Sequence, residues 1–106
     1  MVAKLYHAIN PTFGMDLQDY PKPQWPNGYI EVAILDIPNG MKAPLDFIFE
    51  QTNTIDSPWT QNMSVCWVVG DKMRSTSVGD IVELDGKLFY CDNPGWKPIN
   101  DSPVAN

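Results

Sequence analysis

The pair Asp85-Gly86 constrains this sequence most, because it stands between two short runs rich in strand-forming residues. The runs are 80–84 (DIVEL) and 87–91 (KLFYC). A two-residue turn of type I′ needs a positive φ at both central positions, which Asp-Gly tolerates well. The sequence therefore predicts an antiparallel hairpin whose register is fixed by the turn. That register pairs Leu84 with Lys87, Val82 with Phe89 and Ile81 with Tyr90.

Three more runs predict strands, at 3–9 (AKLYHAI), 29–37 (YIEVAILDI) and 64–69 (SVCWVV). Both faces of the second run are largely apolar, which favours a central strand. Asn93-Pro94-Gly95 predicts a turn after the hairpin, from which Trp96 and Ile99 would pack. Trp67 is predicted to lie in the core.

One helix is predicted over 44–54. Pro44 suits the first helical position, and Asp46 lies in the first turn, where the helix dipole favours an anion. The helical spacing predicts one buried stripe. Its members are Leu45, Ile48, Phe49 and Thr52. Phe47 falls on the opposite side, either as a surface anchor or under a loop.

These elements predict an α+β domain with a small, mostly antiparallel sheet of about five strands and one helix packed on it. A partly closed barrel with the helix as a plug is the alternative. Residues 1–99 would form one compact domain. It would contain a proline-rich loop at 10–28, and 100–106 would be a frayed tail. No repeat or low-complexity tract interrupts the chain.

The charge balance excludes some functions. The chain has 13 acidic and 7 basic residues, a formal charge of −6. Only Lys72 and Arg74 among the basic residues are close together, and acidic residues flank them. This argues against direct nucleic-acid binding, which needs a basic stripe. No apolar run reaches the roughly 18 residues of a membrane span, and no signal peptide is evident. We expect a cytoplasmic protein.

Metal and catalytic motifs are equally scarce. Two cysteines without a C-x-x-C pair and a single histidine cannot complete a tetrahedral zinc site. Cys66 and Cys91 are predicted to be buried and reduced, with a disulfide as the minority interpretation. His7 is expected to be a structural side chain. We predict no cofactor, no metal and no enzymatic activity.

The densest polar cluster is Arg74-Ser75-Thr76-Ser77-Val78-Gly79-Asp80. Hydroxyls beside an arginine could hold an anion. The structural alternative is a turn into a strand, with Arg74 paired to an acid such as Asp56. Aromatic side chains on loops are frequent interface anchors, but we expect two of the three loop tryptophans (Trp25, Trp59 and Trp96) to lie in the core. The candidate binding residues are Arg74, Ser75, Thr76, Ser77, Asp80, Tyr90, Trp96, Asn53, Asp56, Trp59 and Trp25.

The stretch from Arg74 through Ser-Thr-Ser-Val-Gly-Asp-Ile-Val to Gly95-Trp96 resembles the YodL-like family and its relatives on phages and plasmids. The similarity covers about 74–96, with weaker support from 45–59. Gly79 stands where many members have serine, and Trp96 where phenylalanine is commoner. The resemblance implies an accessory protein of a mobile element.

From that resemblance we expect a non-enzymatic protein that binds and modulates or inhibits a host defence or regulatory protein. Two alternatives stay open. One is sequestration of a small anionic, nucleotide-like ligand by Arg74 and the serines. The other is an acidic mimic of DNA. The chain could also form a homo-oligomer.

Overall fold

The computed structural model describes residues 1–9, 25–54, 57–70, 73–92 and 95–99. Most of the predicted proline-rich loop, Asp56 and the tail 100–106 lie outside these ranges. The described residues form six strands, one α-helix and one 3-10 turn. In chain order they are β1 (Val2–Ala8), β2 (Tyr29–Asp36), α1 (Pro44–Gln51), the 3-10 turn (Trp59–Gln61), β3 (Val65–Val68), β4 (Ile81–Leu84), β5 (Lys87–Cys91) and β6 (Trp96–Pro98).

The strands form one antiparallel sheet in the order β3-β2-β1-β4-β5-β6. The predicted α+β class is therefore confirmed, with one strand more than expected. The sheet is open, with β3 and β6 as its two edges, so the barrel alternative is wrong. Neighbouring strands of the sheet are consecutive in the chain except at β1 and β4, which pair in the centre.

The predicted hairpin is present with the predicted register. Leu84 pairs with Lys87, and Ile81 pairs with Tyr90. Asp85 and Gly86 have φ values of 54° and 76°, as a type I′ turn requires. The added strand, β6, was predicted only as packing residues, since three residues that include a proline show no alternation.

The helix begins at Pro44 as predicted but ends at Gln51. Two side chains after it bind the last carbonyl oxygens: the Thr52 Oγ1 donates to Ile48 O (2.9 Å) and the Asn53 Nδ2 to Phe49 O (2.8 Å). These bonds compete with a further helical turn.

One expectation about the helix surface is wrong. Ile48 and Thr52 are buried, but Phe49 is 38% exposed and Phe47 packs against the core. An eight-residue helix makes little more than two turns. Its orientation on the sheet is therefore decided by tertiary packing, which here turns Phe47 inwards and Phe49 outwards.

The core lies between α1, the 3-10 turn and one face of the central strands. Its largest buried members, listed together, are Leu5, Val32, Leu35, Ile37, Ile48, Trp59 and Val82. This arrangement leaves the edges of the sheet poorly covered, so side chains of the edge strand β3 are exposed.

Two residues of β3 were wrongly predicted to be buried. Trp67 is 44% exposed, and Cys66 is exposed. Both lie on an edge strand that only β2 flanks among the described residues. Cys91 is buried as predicted, and both cysteines are free thiols.

Candidate functional site

A buried ion pair dominates the segment that the sequence marked as a candidate binding site. The Asp80 carboxylate is fully buried. The Arg74 Nη1 donates to Asp80 Oδ2 at 2.7 Å and the Nη2 donates to Oδ1 at 2.7 Å. This bidentate geometry is the strongest form of a charge-assisted hydrogen bond.

Backbone groups complete the coordination of both charges. Asp80 also accepts from the Ala8 N–H (Oδ1, 2.9 Å) and the Ser77 N–H (Oδ2, 2.7 Å). Arg74 donates in addition to Ala8 O (Nη2, 3.1 Å) and Ser75 O (Nη1, 3.0 Å). The pair thus ties the end of β1 to the start of β4. These contacts favour the structural interpretation of residues 74–80 over an anion site.

His7 lies beside this pair and is 2% exposed. Its Nε2 is 3.1 Å from Thr76 Oγ1 and 3.8 Å from Asp80 Oδ2. The pKa of His7 is lowered to about 4, mainly because burial disfavours the charged imidazolium. The Asp80 carboxylate raises this pKa and the Arg74 guanidinium lowers it, but both effects are smaller than that of burial. The imidazole is therefore neutral at pH 7.

The Nδ1 of His7 is buried and has no hydrogen-bond partner. We assign the proton to Nε2, because that nitrogen faces the Thr76 oxygen and the Asp80 carboxylate. Thr76 is itself buried. The contact with Thr76 and the neighbouring Asp80 carboxylate hold the His7 imidazole inside the fold.

Two aromatic side chains hold the same segment from other directions. The Tyr29 hydroxyl donates to Gly79 O at 2.6 Å, and burial raises the pKa of Tyr29. The buried Trp59 Nε1 donates to Met73 O (3.1 Å) and Arg74 O (3.0 Å). Residues 73–80 are consequently anchored to β1, β2 and the 3-10 turn.

An open groove of about 620 Å³ lies between α1 and the β5–β6 end of the sheet. Its lining residues are Asp46, Phe49, Asn53, Thr76, Ser77, Val78, Cys91, Asp92, Gly95 and Trp96. Aromatic side chains come from both sides, Phe49 from α1 and Trp96 from β6. Among the described lining residues, two carry a carboxylate and none is basic. Lys97 is close by, with its Nζ 3.0 Å from Asp92 Oδ2.

The groove brings together four of the residues that the sequence singled out, and the others lie elsewhere. Those in the groove are Asn53, Thr76, Ser77 and Trp96. Ser75 is exposed beside it, whereas Arg74 and Asp80 form the buried pair. Tyr90 is half-buried and alternates with Cys91, so it points to the opposite face of the sheet.

The remaining candidates have their own environments. Trp59 is buried, as a core tryptophan should be. Trp25 makes edge-to-face contacts with Tyr6 (4.8 Å between centroids) and Tyr29 (5.5 Å). Asp56 lies outside the described residues.

Sequence reasoning missed several groove residues because they come from distant segments. Asp46 was explained by the helix dipole alone, and Phe49 was predicted to be buried. Asp92 carried no signal.

The described residues contain neither a metal-binding cluster nor a helix that could cross a membrane. No group of three or more His, Cys, Asp or Glu side chains could hold a metal ion there. In the same part of the chain, no helix has the length and apolar character needed to cross a membrane.

Comparison with known proteins adds no relative to this picture: no family model, no curated protein and no solved structure matches the chain.

Proposed function

We propose that this chain is a non-enzymatic binding protein. Its groove between α1 and β5–β6 takes a cationic, partly apolar segment of a protein partner. The observation that carries the proposal is the lining of the groove, in which the exposed Phe49 and the half-buried Trp96 lie beside two carboxylates.

Phe49 and Trp96 supply the apolar contact. Phe49 is 38% exposed on a helix whose other apolar residues pack inwards. Aromatic anchors in a concave site contribute most of the binding energy of many interfaces, and they also attract cations through their ring faces.

Asp46 gives the groove its charge preference. It is exposed in the first turn of α1, and the chain as a whole carries −6. A basic segment would be attracted to this surface over a distance, and an acidic one repelled. Lys97 pairs with Asp92 and so reduces the contribution of that carboxylate to the charge of the groove.

The shape of the site favours a segment over a compact small molecule. A second groove of about 360 Å³ continues along the start of α1 and shares Asp46 and Trp96 with the first. Lys42 lines this extension together with Leu45, Leu84 and Phe89. An extended peptide could follow both grooves and place apolar side chains against Phe89.

The alternative of a small anionic ligand has less support. The Arg74 guanidinium, its main recognition group, donates four hydrogen bonds to Asp80, Ala8 and Ser75. A host protein as the target, inhibition as the outcome and a mobile-element origin all follow from the resemblance to the YodL-like family, and they stay predictions.

The test is a nuclear magnetic resonance titration of the labelled protein with blocked peptides. One peptide combines two arginines with leucine and phenylalanine, and its partner has glutamates in place of the arginines. We expect the arginine peptide to shift the Trp96 indole N–H and the α1 amides, with weaker binding at higher salt. The glutamate peptide should cause no shifts.

Matched variants locate the site. Asp46→Lys should weaken the arginine peptide at least tenfold, whereas Glu50→Lys, the same change on α1 outside the groove, should have little effect. Trp96→Ala should abolish binding and Trp67→Ala should not. Equal binding of both peptides would refute the proposal, as would shifts at 74–80 caused by inorganic phosphate or adenosine monophosphate.

A further inference from the structure

The two edges of the sheet differ in how they are protected. At one edge, β6 carries Lys97 and Pro98, both exposed. A lysine and a proline are common devices that prevent an edge strand from pairing with another chain. At the other edge, β3 has neither.

The segment of the chain that contains β3 is uncharged and exposes several apolar side chains. Residues 57–70 (SPWTQNMSVCWVVG) contain no charged side chain, although the whole chain carries −6. Three of its large apolar residues are strongly exposed: Met63, Trp67 and Val69. Exposed apolar side chains grouped on a sheet edge are typical of an interaction site.

The backbone of β3 also offers hydrogen bonds. The Val69 N–H donates to Val32 O of β2 at 2.9 Å, and Trp67 pairs with Ile34. Because alternate residues of a strand direct their N–H and C=O groups to opposite sides, those of Val68 point away from β2. Among the described residues, no strand lies there to receive them.

We propose that β3 pairs antiparallel with β3 of a second copy of this chain, around a two-fold axis near Trp67. The run Val65-Cys66-Trp67-Val68-Val69 is similar when read in either direction, with valine at both ends and tryptophan in the middle. The axis sets Val65 against Val69 of the other copy, and the two Trp67 side chains become cross-strand neighbours. Self-pairing of this kind is the isologous contact that closes a dimer.

Charge favours a second copy at this edge over any other face. Two chains of −6 repel one another, and the repulsion is smallest where the approaching segments are neutral. The irregular register between Ile34 and Leu35 keeps the new ladder short. A short ladder buries a small interface, so the dimer is weak and forms at high protein concentration.

Sedimentation equilibrium over a wide concentration range tests the proposal. The wild-type mass should rise from 11.9 kDa towards twice that value. Trp67→Lys should keep the chain monomeric. Val2→Lys is the control, because it adds the same charge at an apolar residue that is 58% exposed on an interior strand. Since both variants lower the net negative charge equally, only the edge distinguishes them.

Three outcomes would overturn the proposal. They are a wild-type chain that stays monomeric throughout, a Trp67→Lys variant that dimerises like the wild type, and an assembly that grows beyond two copies. Circular dichroism checks that the variants fold. If Trp67→Lys does not fold, Cys66→Lys places the same charge at an exposed neighbour on the same edge and must also abolish the dimer.

Discussion

At the scale of single residues, the Arg74–Asp80 pair should be the most sensitive point of the fold. Arg74→Ala leaves the fully buried Asp80 carboxylate without its counter-charge. Breaking a buried pair from one side costs roughly 3–5 kcal/mol, and the lower end applies because the arginine side chain is 28% exposed. We expect a loss of about 3 kcal/mol in the free energy of unfolding, measured by urea denaturation.

The control for this change is Lys87→Ala, which removes an exposed cation from the hairpin. It should alter the free energy of unfolding by less than about 0.5 kcal/mol. Arg74→Lys should recover only part of the loss, since lysine cannot bind both carboxylate oxygens in the bidentate manner. A stable Arg74→Ala variant would show that the pair is not structural and would reopen the anion site.

His7 makes the stability depend on pH. Its pKa is lowered to about 4 in the fold, against about 6.5 in the unfolded chain. Between these values the unfolded state binds more protons, so stability is fully present above pH 6.5 and decreases as the pH falls towards 4. From pH 7 to pH 5 this group should remove about 2 kcal/mol.

The measurement is urea denaturation at both pH values in the wild type and in His7→Gln. The glutamine variant keeps a hydrogen-bonding group near Thr76 and cannot titrate. Its remaining pH dependence reports the carboxylates, and the difference between the two proteins isolates the imidazole. Equal slopes in the two proteins would mean that His7 titrates with the same pKa in the folded and the unfolded chain.

For single residues, the sequence predicted correctly those contacts that form between residues close together in the chain. Ser77, Gly79 and Asp80 are close in the chain, so a turn before the strand could be predicted. The contact of Asp80 with the Ala8 N–H could not, because Ala8 is 72 positions away and meets Asp80 only once β1 and β4 pair. His7 is buried, and its contact with Thr76, 69 positions away, could not be predicted from the sequence.

At the scale of elements, α1 provides a test of the corrected helix orientation. Phe47 packs against the core, whereas Phe49 is partly exposed in the groove. Phe47→Ala should cost about 2–3 kcal/mol of stability, below the value for a fully buried phenylalanine. Phe49→Ala should cost less than about 1 kcal/mol and should weaken the arginine peptide. The reverse order in urea denaturation would restore the orientation that the helical spacing predicts.

The hairpin and β6 show which elements a sequence can specify. The hairpin depends on a local turn whose φ requirements Asp85-Gly86 meets without help from the rest of the chain. The three residues of β6 have no such local signal and become a strand because β5 offers them an edge. Likewise, the exposure of Trp67 follows from the place of β3 at the end of the sheet. The sequence of β3 itself resembles that of a buried strand.

At the scale of the whole molecule, the strand order separates the two proposed interaction surfaces. The edge at β3 and the groove beside β6 lie at opposite ends of a six-stranded sheet. Five interstrand spacings of about 4.8 Å place them roughly 24 Å apart. Near physiological salt the screening length is about 8 Å, so charges at one surface act weakly on the other.

We therefore expect the two surfaces to be energetically independent. Trp67→Lys should abolish the dimer and leave the affinity for the arginine peptide within about twofold of the wild type. Asp46→Lys should weaken peptide binding at least tenfold and leave the dimerisation constant within about twofold of the wild type. Distant sites without shared partners usually add within about 0.5 kcal/mol, which is the coupling expected for the double variant. Sedimentation equilibrium with and without saturating peptide measures this coupling directly. The expectation would be contradicted by a peptide that dissociates the dimer or by a Trp67→Lys variant that no longer binds the peptide. Either result would mean that the two surfaces are coupled, although β3 and the groove lie at opposite ends of the sheet.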